Sequence, residues 1–485
     1  MFYGREEQVE RFSALWKKPV ASFVVCRGRR RIGKSTLIER FARTSGARFL
    51  KIEGLAPDES MTNRRQLDNF ATRIGRLSGR KPKAFSDWGA AFESLEAVID
   101  DRRTVVLLDE ISWMGGYDKD FPAQLKIAWD NLFNRRRNLI VFVCGSVSSW
   151  IHRNILKSRG FVGRIALDSV VDELPLKECV KFWGRRARRL AASEIIDVLS
   201  VTGGVPRYLE EIDPSLSADE NIRRLCFLPD GYLFREFDEL FNDVISERAT
   251  DKAAVLNALC AGPMSGAELA EKTGVERNGH FSELLQELEI AGFLSKSEGV
   301  NPMTGRRGRV DRYRIRDNYT RFFLRYVAPR MQEIKQGAFE FVSVRSLPGW
   351  DSIMGLQFEN LILNNLRELL PLIGMNGKLL LSASPYRNAR ESKGGGCQID
   401  LLIQTERAAY VIEIKRKRHI DGEIVKEVSE KIRRLPVRAG VSVRPCLVYD
   451  GEVSPSVIAQ DYFDVMIPVG RLLGSSPGNF ETAAF

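Results

Sequence analysis

Gly28-Arg-Arg-Arg-Ile-Gly33-Lys34-Ser35, set directly after the apolar run Ala21-Ser-Phe-Val-Val-Cys26, limits the fold of this chain more than any other stretch. The run reads as a buried strand, and Ser35-Thr36-Leu-Ile-Glu-Arg-Phe-Ala42 reads as a helix. Strand, glycine loop and helix form the context in which G-x-x-x-x-G-K-[ST] cradles phosphate. Gly28 and Gly33 let the backbone between them (Arg29, Arg30, Arg31, Ile32) curl so that its N–H groups face β- and γ-phosphates. Lys34 adds a point charge and Ser35 offers a hydroxyl to Mg²⁺. Thr36 continues the first helical turn, whose positive end favours an anion. ATP with Mg²⁺ is the expected ligand of an α/β core.

With 485 residues, 44% of them apolar, the chain has room for several globular domains. Its amino terminus, Met-Phe-Tyr-Gly-Arg-Glu-Glu, is charged at once, so no signal peptide is expected. Apolar runs such as Leu139-Ile-Val-Phe-Val-Cys144 are too short to span a bilayer, and no membrane partner is expected. Seven cysteines without a CxxC pair and three histidines argue against a zinc site or a disulfide framework. The expected compartment is the cytoplasm. The formal charge is +11, with basic clusters at Arg27–Arg31, Arg135–Arg137, Arg185–Arg189 and Lys415–His419. Any one cluster reads as a solvated face; together they fit a polyanionic partner.

Five features follow the loop in order. Thr104-Val-Val-Leu-Leu-Asp109-Glu110 is a buried strand ending in two carboxylates, where α/β sheets place ligands. Asp109 is expected in the Mg²⁺ shell, and Glu110 is expected to orient and polarise the attacking water. Leu139-Ile-Val-Phe-Val-Cys-Gly145-Ser146 sets the Ser146 hydroxyl at a second strand end, within reach of the γ-phosphate. Gly163-Arg164 follows a polar loop, and Arg164 is read as an arginine finger for its own site or a neighbour's. Thr202-Gly-Gly-Val-Pro206-Arg207-Tyr-Leu209 forces a sharp turn in a helical segment, suiting a lid hinge with Arg207 reaching a phosphate.

Together with Phe2-Tyr-Gly4-Arg5-Glu6-Glu, these motifs resemble the archaeal-type ATPase family, in the AAA+/STAND group of P-loop ATPases, which also occurs in bacteria. The resemblance covers about half the chain. It implies that the segment with Gly4 and Arg5 packs beside the adenine and that Pro206 and Arg207 belong to the nucleotide-binding set. Three successive arginines in the loop exceed what such loops usually carry.

Residues 251–315 read as three helices and a basic ribbon, a pattern similar to winged helix-turn-helix domains. Ser265, with Glu268 three residues on, marks a helix start. The recognition-helix position, Gly279 to Ile290, carries Glu283, Glu287 and Glu289, while Arg306, Arg307 and Arg309 sit at the wing tip. A DNA-reading module and a protein-binding module both remain open.

Near the carboxy terminus, Gln398-Ile-Asp400 and Val-Ile-Glu413-Ile-Lys415 flank the polar turn Gln404-Thr-Glu-Arg407. A hairpin symmetric about the 406–407 bond pairs Asp400 with Glu413 and Gln398 with Lys415. Alternation puts Glu413 and Lys415 on one face. Two carboxylates and a lysine then converge, as metal-dependent phosphodiester chemistry with Mg²⁺ or Mn²⁺ requires. The set resembles the PD-(D/E)XK nuclease superfamily, whose first helix often carries an acid that Glu359 would supply. The archaeal-type family often joins such a domain.

The expected architecture is an α/β P-loop ATPase core (1–170), a helical lid (171–240), a winged helix (241–330) and an α/β restriction-endonuclease-like domain (340–485). Two functions follow: an ATP-regulated nuclease, DNA favoured, or a nucleotide-switched regulator that binds nucleic acid or protein without cutting. Oligomeric state stays open.

Overall fold

The computed structural model describes residues 2–145, 148–237, 249–299, 301–304, 306, 308, 311–377, 379–388 and 396–474. Two compact units divide the chain, Phe2–Glu173 and Leu174–Phe485.

In the first unit, five strands form one sheet: β1 (Ser22–Arg27), β2 (Arg48–Glu53), β3 (Thr104–Asp109), β4 (Leu139–Gly145) and β5 (Ile165–Val170). The order is β2-β3-β4-β1-β5, and every pairing is parallel. β3 and β4 are buried at every residue, because helices cover both faces of a parallel sheet. Phe12, Ile38 and Phe41 pack with Val24, Leu107 and Phe142 on one side. Phe70, Trp88, Phe92 and Trp129 pack with Phe23, Val106 and Val141 on the other. Parallel pairing brings the carboxyl ends of β1, β3 and β4 to one edge, which is why loops distant in sequence meet there.

The second unit begins with helices, among them Ala192–Thr202 and the short helix Pro206–Leu209. Then follow helices Ala249–Leu259, Gly266–Thr273 and Gly279–Ile290 with the strands β6 (Met264–Ser265), β7 (Leu294–Ser297) and β8 (Arg312–Ile315). These strands make a small sheet in the order β6-β8-β7. Ser265 caps its helix and Glu268 closes the capping box. Leu256, Leu269, Phe281, Leu284 and Leu288 form the local core.

After the helix Trp350–Asn364 comes a third sheet of β9 (Ser382–Asn388), β10 (Cys397–Gln404), β11 (Ala408–Ile420), β12 (Ser442–Val453) and β13 (Val465–Pro468), ordered β13-β12-β11-β10-β9. β9, β10 and β11 pair antiparallel, whereas β12 and β13 join parallel. The helix Glu423–Arg434 makes the crossover from β11 to β12 and buries Ile424, Val425 and Val428. No helix among the described residues is long and apolar enough to cross a membrane.

Candidate functional sites

The loop after β1 is shaped by its glycines. Gly28 has φ +153, and a Cβ there would lie 2.2 Å from the carbonyl oxygen of Val171. Gly33, at φ 85, caps the helix Lys34–Thr44 in the left-handed conformation, and non-glycine Arg31 is left-handed too, at φ 67. Such backbone strain concentrates at ligand clamps. Lys34 is buried and donates to the carbonyls of Gly28 and Arg29, each at 3.0 Å. Ile32 is buried, and its carbonyl accepts from Arg5 Nη2 at 3.2 Å. Arg5 also donates to the Asp172 carbonyl at 2.7 Å, so the turn at Gly4 (φ 66) braces the loop from behind. Arg29 pairs with Glu173 at 3.6 Å, Arg30 lies 5.9 Å over the Trp113 ring, and Thr36 is exposed.

Two residues expected around Mg²⁺ touch directly: Ser35 Oγ donates to Asp109 Oδ2 at 2.7 Å. Asp109 Oδ1 accepts from the Cys144 thiol at 2.7 Å, and Lys51 Nζ lies 2.8 Å from Oδ2. Burial works to raise the Asp109 carboxyl, but Cys144, Lys51 and Ser35 outweigh it and hold it below the usual carboxylate range. Burial pushes the Cys144 thiol far up, and that of Cys26, its register partner on β1, to about 12. The Cys144 thiol is therefore a protonated donor to Asp109. Glu110 takes the left-handed conformation at φ 50. Its carboxylate lies close to the end of β4, 3.6 Å from where a Cβ of Gly145 would stand. Ser146 lies outside the described residues.

These oxygen donors suit a hard cation such as Mg²⁺, which favours one or two carboxylates plus phosphate oxygens. Residues 2–212 match a family described as an ATPase domain predominantly from Archaea. This segment is an ATPase domain. Over 444 residues the chain is 23% identical to an uncharacterized protein of Methanocaldococcus jannaschii, spanning 90% of this chain and 92% of that one. Among solved structures it is similar to a Walker-type ATPase of Pyrococcus abyssi, with TM-score 0.48 and 16% identity over 67% of this chain and 96% of that one. It is also similar to the ORC2 protein of Aeropyrum pernix, with TM-score 0.42 and 13% identity over 69% and 95%.

In this ATPase domain, Arg164 stands away from the loop. It precedes β5 at the edge where the strands begin, since Ile165 pairs with Phe23 while Val170 pairs with Arg27 beside the loop. Five residues at about 3.3 Å each put it about 16 Å from the loop's edge. Its guanidinium grips Asp130 at 2.6 and 2.9 Å, and this bond holds the Asp130 carboxyl down at about 2. The guanidinium is thus engaged by Asp130 at the edge of the sheet opposite the loop. Pro206 opens the short helix in the second unit. Arg207 there pairs with Glu211 at 2.6 Å and lies 4.8 Å over the Tyr232 ring.

The second cluster lies on the carboxy-terminal sheet. β10 and β11 pair Leu401 with Ile412, the register of a hairpin symmetric about the 406–407 bond. This ladder runs from there to Gln404–Ala409, so neither the expected Asp400–Glu413 pair nor the Gln398–Lys415 pair is part of it. The Asp400 side chain instead accepts the Ile414 N–H at 2.9 Å, taking a donor that a continued ladder would use. Lys415 bridges Glu413 at 3.0 Å and Glu427 at 3.0 Å. Lys431 bridges the same two carboxylates, at 2.6 and 3.0 Å. Glu413 is buried to 1% exposure at the centre. Burial, Glu413 and Glu359 together push the Asp400 carboxyl up to about 8, and burial with Glu413 raises Glu359 despite Arg321 and Arg314. Among the described residues no group of three or more His, Cys, Asp or Glu side chains is set to hold a metal ion. Glu359, Asp400 and Glu413 thus form no ready three-acid cage.

Sequence reasoning missed Lys51, Cys144, Glu427 and Lys431. The last two stand four apart on an amphipathic helix, a spacing shared by countless surface ion pairs. Lys51 and Cys144 become visible only once strand order puts β2 and β4 on either side of β3.

Proposed function

We propose that this ATPase couples Mg²⁺-dependent ATP hydrolysis to a nuclease-like site on the carboxy-terminal sheet, acting on DNA. The direct Ser35–Asp109 contact at the mouth of the glycine loop supports the ATP site most strongly. The loop amides of residues 29–34 and the Lys34 ammonium bind the β- and γ-phosphates, and Ser35 and Asp109 would hold Mg²⁺. When bound, Mg²⁺ draws charge from the phosphate oxygens. Glu110 orients the attacking water. Arg164 would serve a neighbouring copy's site.

Helices Ala249–Leu259, Gly266–Thr273 and Gly279–Ile290 with β6, β8 and β7 are read as the winged helix. Its acidity is partly internal: Lys252, nearly buried, pairs with Glu287 at 3.1 Å. That leaves less negative charge facing a partner than the sequence alone implies, and it favours nucleic acid over protein there.

On the carboxy-terminal sheet, Asp400 and Glu413 would hold Mg²⁺ or Mn²⁺, with Lys415 beside them to position or deprotonate water. Buried carboxylates crowded enough to push Asp400 to about 8 support a cation-seeking site. Coupling is supported by the helix Ala192–Thr202, which ends at the hinge. Its Asp197 grips Arg416, the neighbour of Lys415, and Arg345 at 2.6 Å. Its Ser200 carbonyl accepts from Gln357, two residues before Glu359, at 2.9 Å. A helix that moves with nucleotide state would therefore pull on both arms of the second site.

The four-membered ring of Glu413, Lys415, Glu427 and Lys431 favours a second reading, a regulator that binds without cutting, because two ammonium groups already satisfy Glu413. Cleavage of plasmid and single-stranded DNA with Mg²⁺ or Mn²⁺, with and without ATP, separates the two. Cutting that is lost in Glu413→Ala and altered in Lys34→Ala is the expected result. No cutting by any variant, with ATP turnover intact in Glu413→Ala, would leave the non-cutting regulator.

A further inference from the structure

Lys51 was assigned no role by any motif, yet its ammonium lies 2.8 Å from Asp109 Oδ2, the same oxygen that accepts the Ser35 hydroxyl at 2.7 Å. The sheet makes this contact. β2 pairs with β3 in parallel register, Lys51 beside Leu107 and Glu53 beside Asp109. Alternation therefore sets Lys51, Glu53 and Asp109 on one face, and a lysine stem spans the two-residue offset. Asp109 is buried to 3% exposure, while the Lys51 side chain keeps 35%. A cation that can move thus stands against a carboxylate that cannot. Glu53 lies 3.4 Å from the same ammonium and offers a second carboxylate to receive it.

We propose that Lys51 is the resident counter-ion of the Mg²⁺ position in the ATPase domain, a positioning residue that shares Asp109 Oδ2 with Ser35 and that the metal must displace. Before the metal–nucleotide arrives, Lys51 holds Asp109 against Ser35 and offsets its buried charge. Mg²⁺ demands near-ideal octahedral oxygen geometry and cannot share a lone-pair direction with an ammonium. Its entry therefore transfers Lys51 toward Glu53. The ammonium acts against metal binding, so nucleotide without metal and nucleotide with metal meet differently charged sites.

Mn²⁺ binding to the full chain at saturating ADP, read from the electron paramagnetic resonance signal of free Mn²⁺, tests this. Lys51→Met should bind Mn²⁺ about tenfold more tightly than the unaltered protein, the scale of one charge-assisted hydrogen bond. Lys51→Arg should stay near the unaltered value. The rise in melting temperature on adding Mn²⁺ with ADP should also be larger in Lys51→Met, since ligand linkage adds to stability. Equal or weaker Mn²⁺ binding by a folded Lys51→Met would overturn the proposal and leave Lys51 a structural ion pair. Should Lys51→Met fail to fold, Glu53→Gln carries the test: removing the receiving carboxylate should weaken Mn²⁺ binding, and no change there would equally overturn it.

Discussion

Asp109 and Asp400 are both buried carboxylates beside a lysine, and they stand in opposite electrostatic states. Asp109 ends a parallel strand where neighbouring elements each send it a donor: Ser35 from the loop helix, Cys144 from β4 and Lys51 from β2. Burial alone would raise it, but those donors keep it ionised below the usual range. Asp400 has the Ile414 N–H, while the nearby ammonium of Lys431 bonds Glu413. Burial and the charges of Glu413 and Glu359 carry it up to about 8. Two sites built from the same residue types thus differ in readiness. The first presents a charged oxygen to a metal at neutral pH. The second holds a proton that any metal entering as proposed would have to expel.

The largest expected effects lie in the first site. Glu110→Gln should lower ATP turnover about 100- to 1000-fold while nucleotide binding survives, the scale of losing one group that acts mainly in the transition state. Lys34→Ala should lose binding as well, read by fluorescent ADP titration, because it removes the charge on the phosphates. If Glu110→Gln turned over ATP normally, the water-orienting role would pass to another residue and the first half of the comparison would break.

Next comes Gly28→Ala. A Cβ 2.2 Å from the Val171 carbonyl cannot be accommodated without moving backbone, at a cost of about 2–4 kcal/mol. A melting curve of the full chain should shift down and the loop should lose its affinity for ADP. An unchanged melt with weakened ADP binding would confine the strain to the loop, which would then be soft rather than braced by Arg5.

How much of this contrast was legible beforehand follows from what the sequence encodes. Local patterns locate strand ends, so Asp109, Glu110 and the glycine loop could be placed on one edge once the sheet was taken as parallel. The hairpin register was legible too, since a short polar turn fixes which residues face each other near it. Its limit was physical: beyond Leu401 the Asp400 side chain competes for the Ile414 N–H, and no pattern announces that exchange. The place of Arg164 was hidden for a related reason. The motif places it in sequence but not at either end of a strand, and the structure puts it at the end away from the loop. Lys51 and Lys431 were hidden because their partners come from other elements, and one sequence carries no record of which elements adjoin.

The pH dependence of the two sites sharpens the comparison. For Asp400 the folded value is raised from 3.8 to about 8, so the contribution of its neutral form is fully present only below the ordinary carboxylate range and is lost progressively as pH rises from there through about 8. Asp400→Asn should therefore melt higher than the unaltered protein at pH 9 by several degrees, with the gap narrowing steadily below pH 8 and about half gone by pH 6. Mn²⁺ binding at the second site should strengthen across the same window. Asp109 is already ionised there, so metal binding with ADP at the first site should stay flat. A gap in melting temperature that does not vary between pH 6 and 9 would show that Asp400 is charged throughout.

The smallest effect expected is that of Lys431→Met. Lys431 bonds Glu413 at 2.6 Å and its charge also lowers Asp400, against burial and two carboxylates that raise it. Removing the ammonium should move the Asp400 transition upward by less than about one pH unit, because Lys415 still bridges Glu413 and Glu427 at 3.0 Å and solvent screens part of the change. The midpoint of Mn²⁺ binding against pH, measured in Asp109→Asn to silence the first site, reads this directly. An upward shift makes Lys431 a partner that prepares Asp400 for ionisation. A fixed midpoint with tighter Mn²⁺ binding would instead make Lys431 a competitor for Glu413, and the two sites would then share the logic inferred for Lys51.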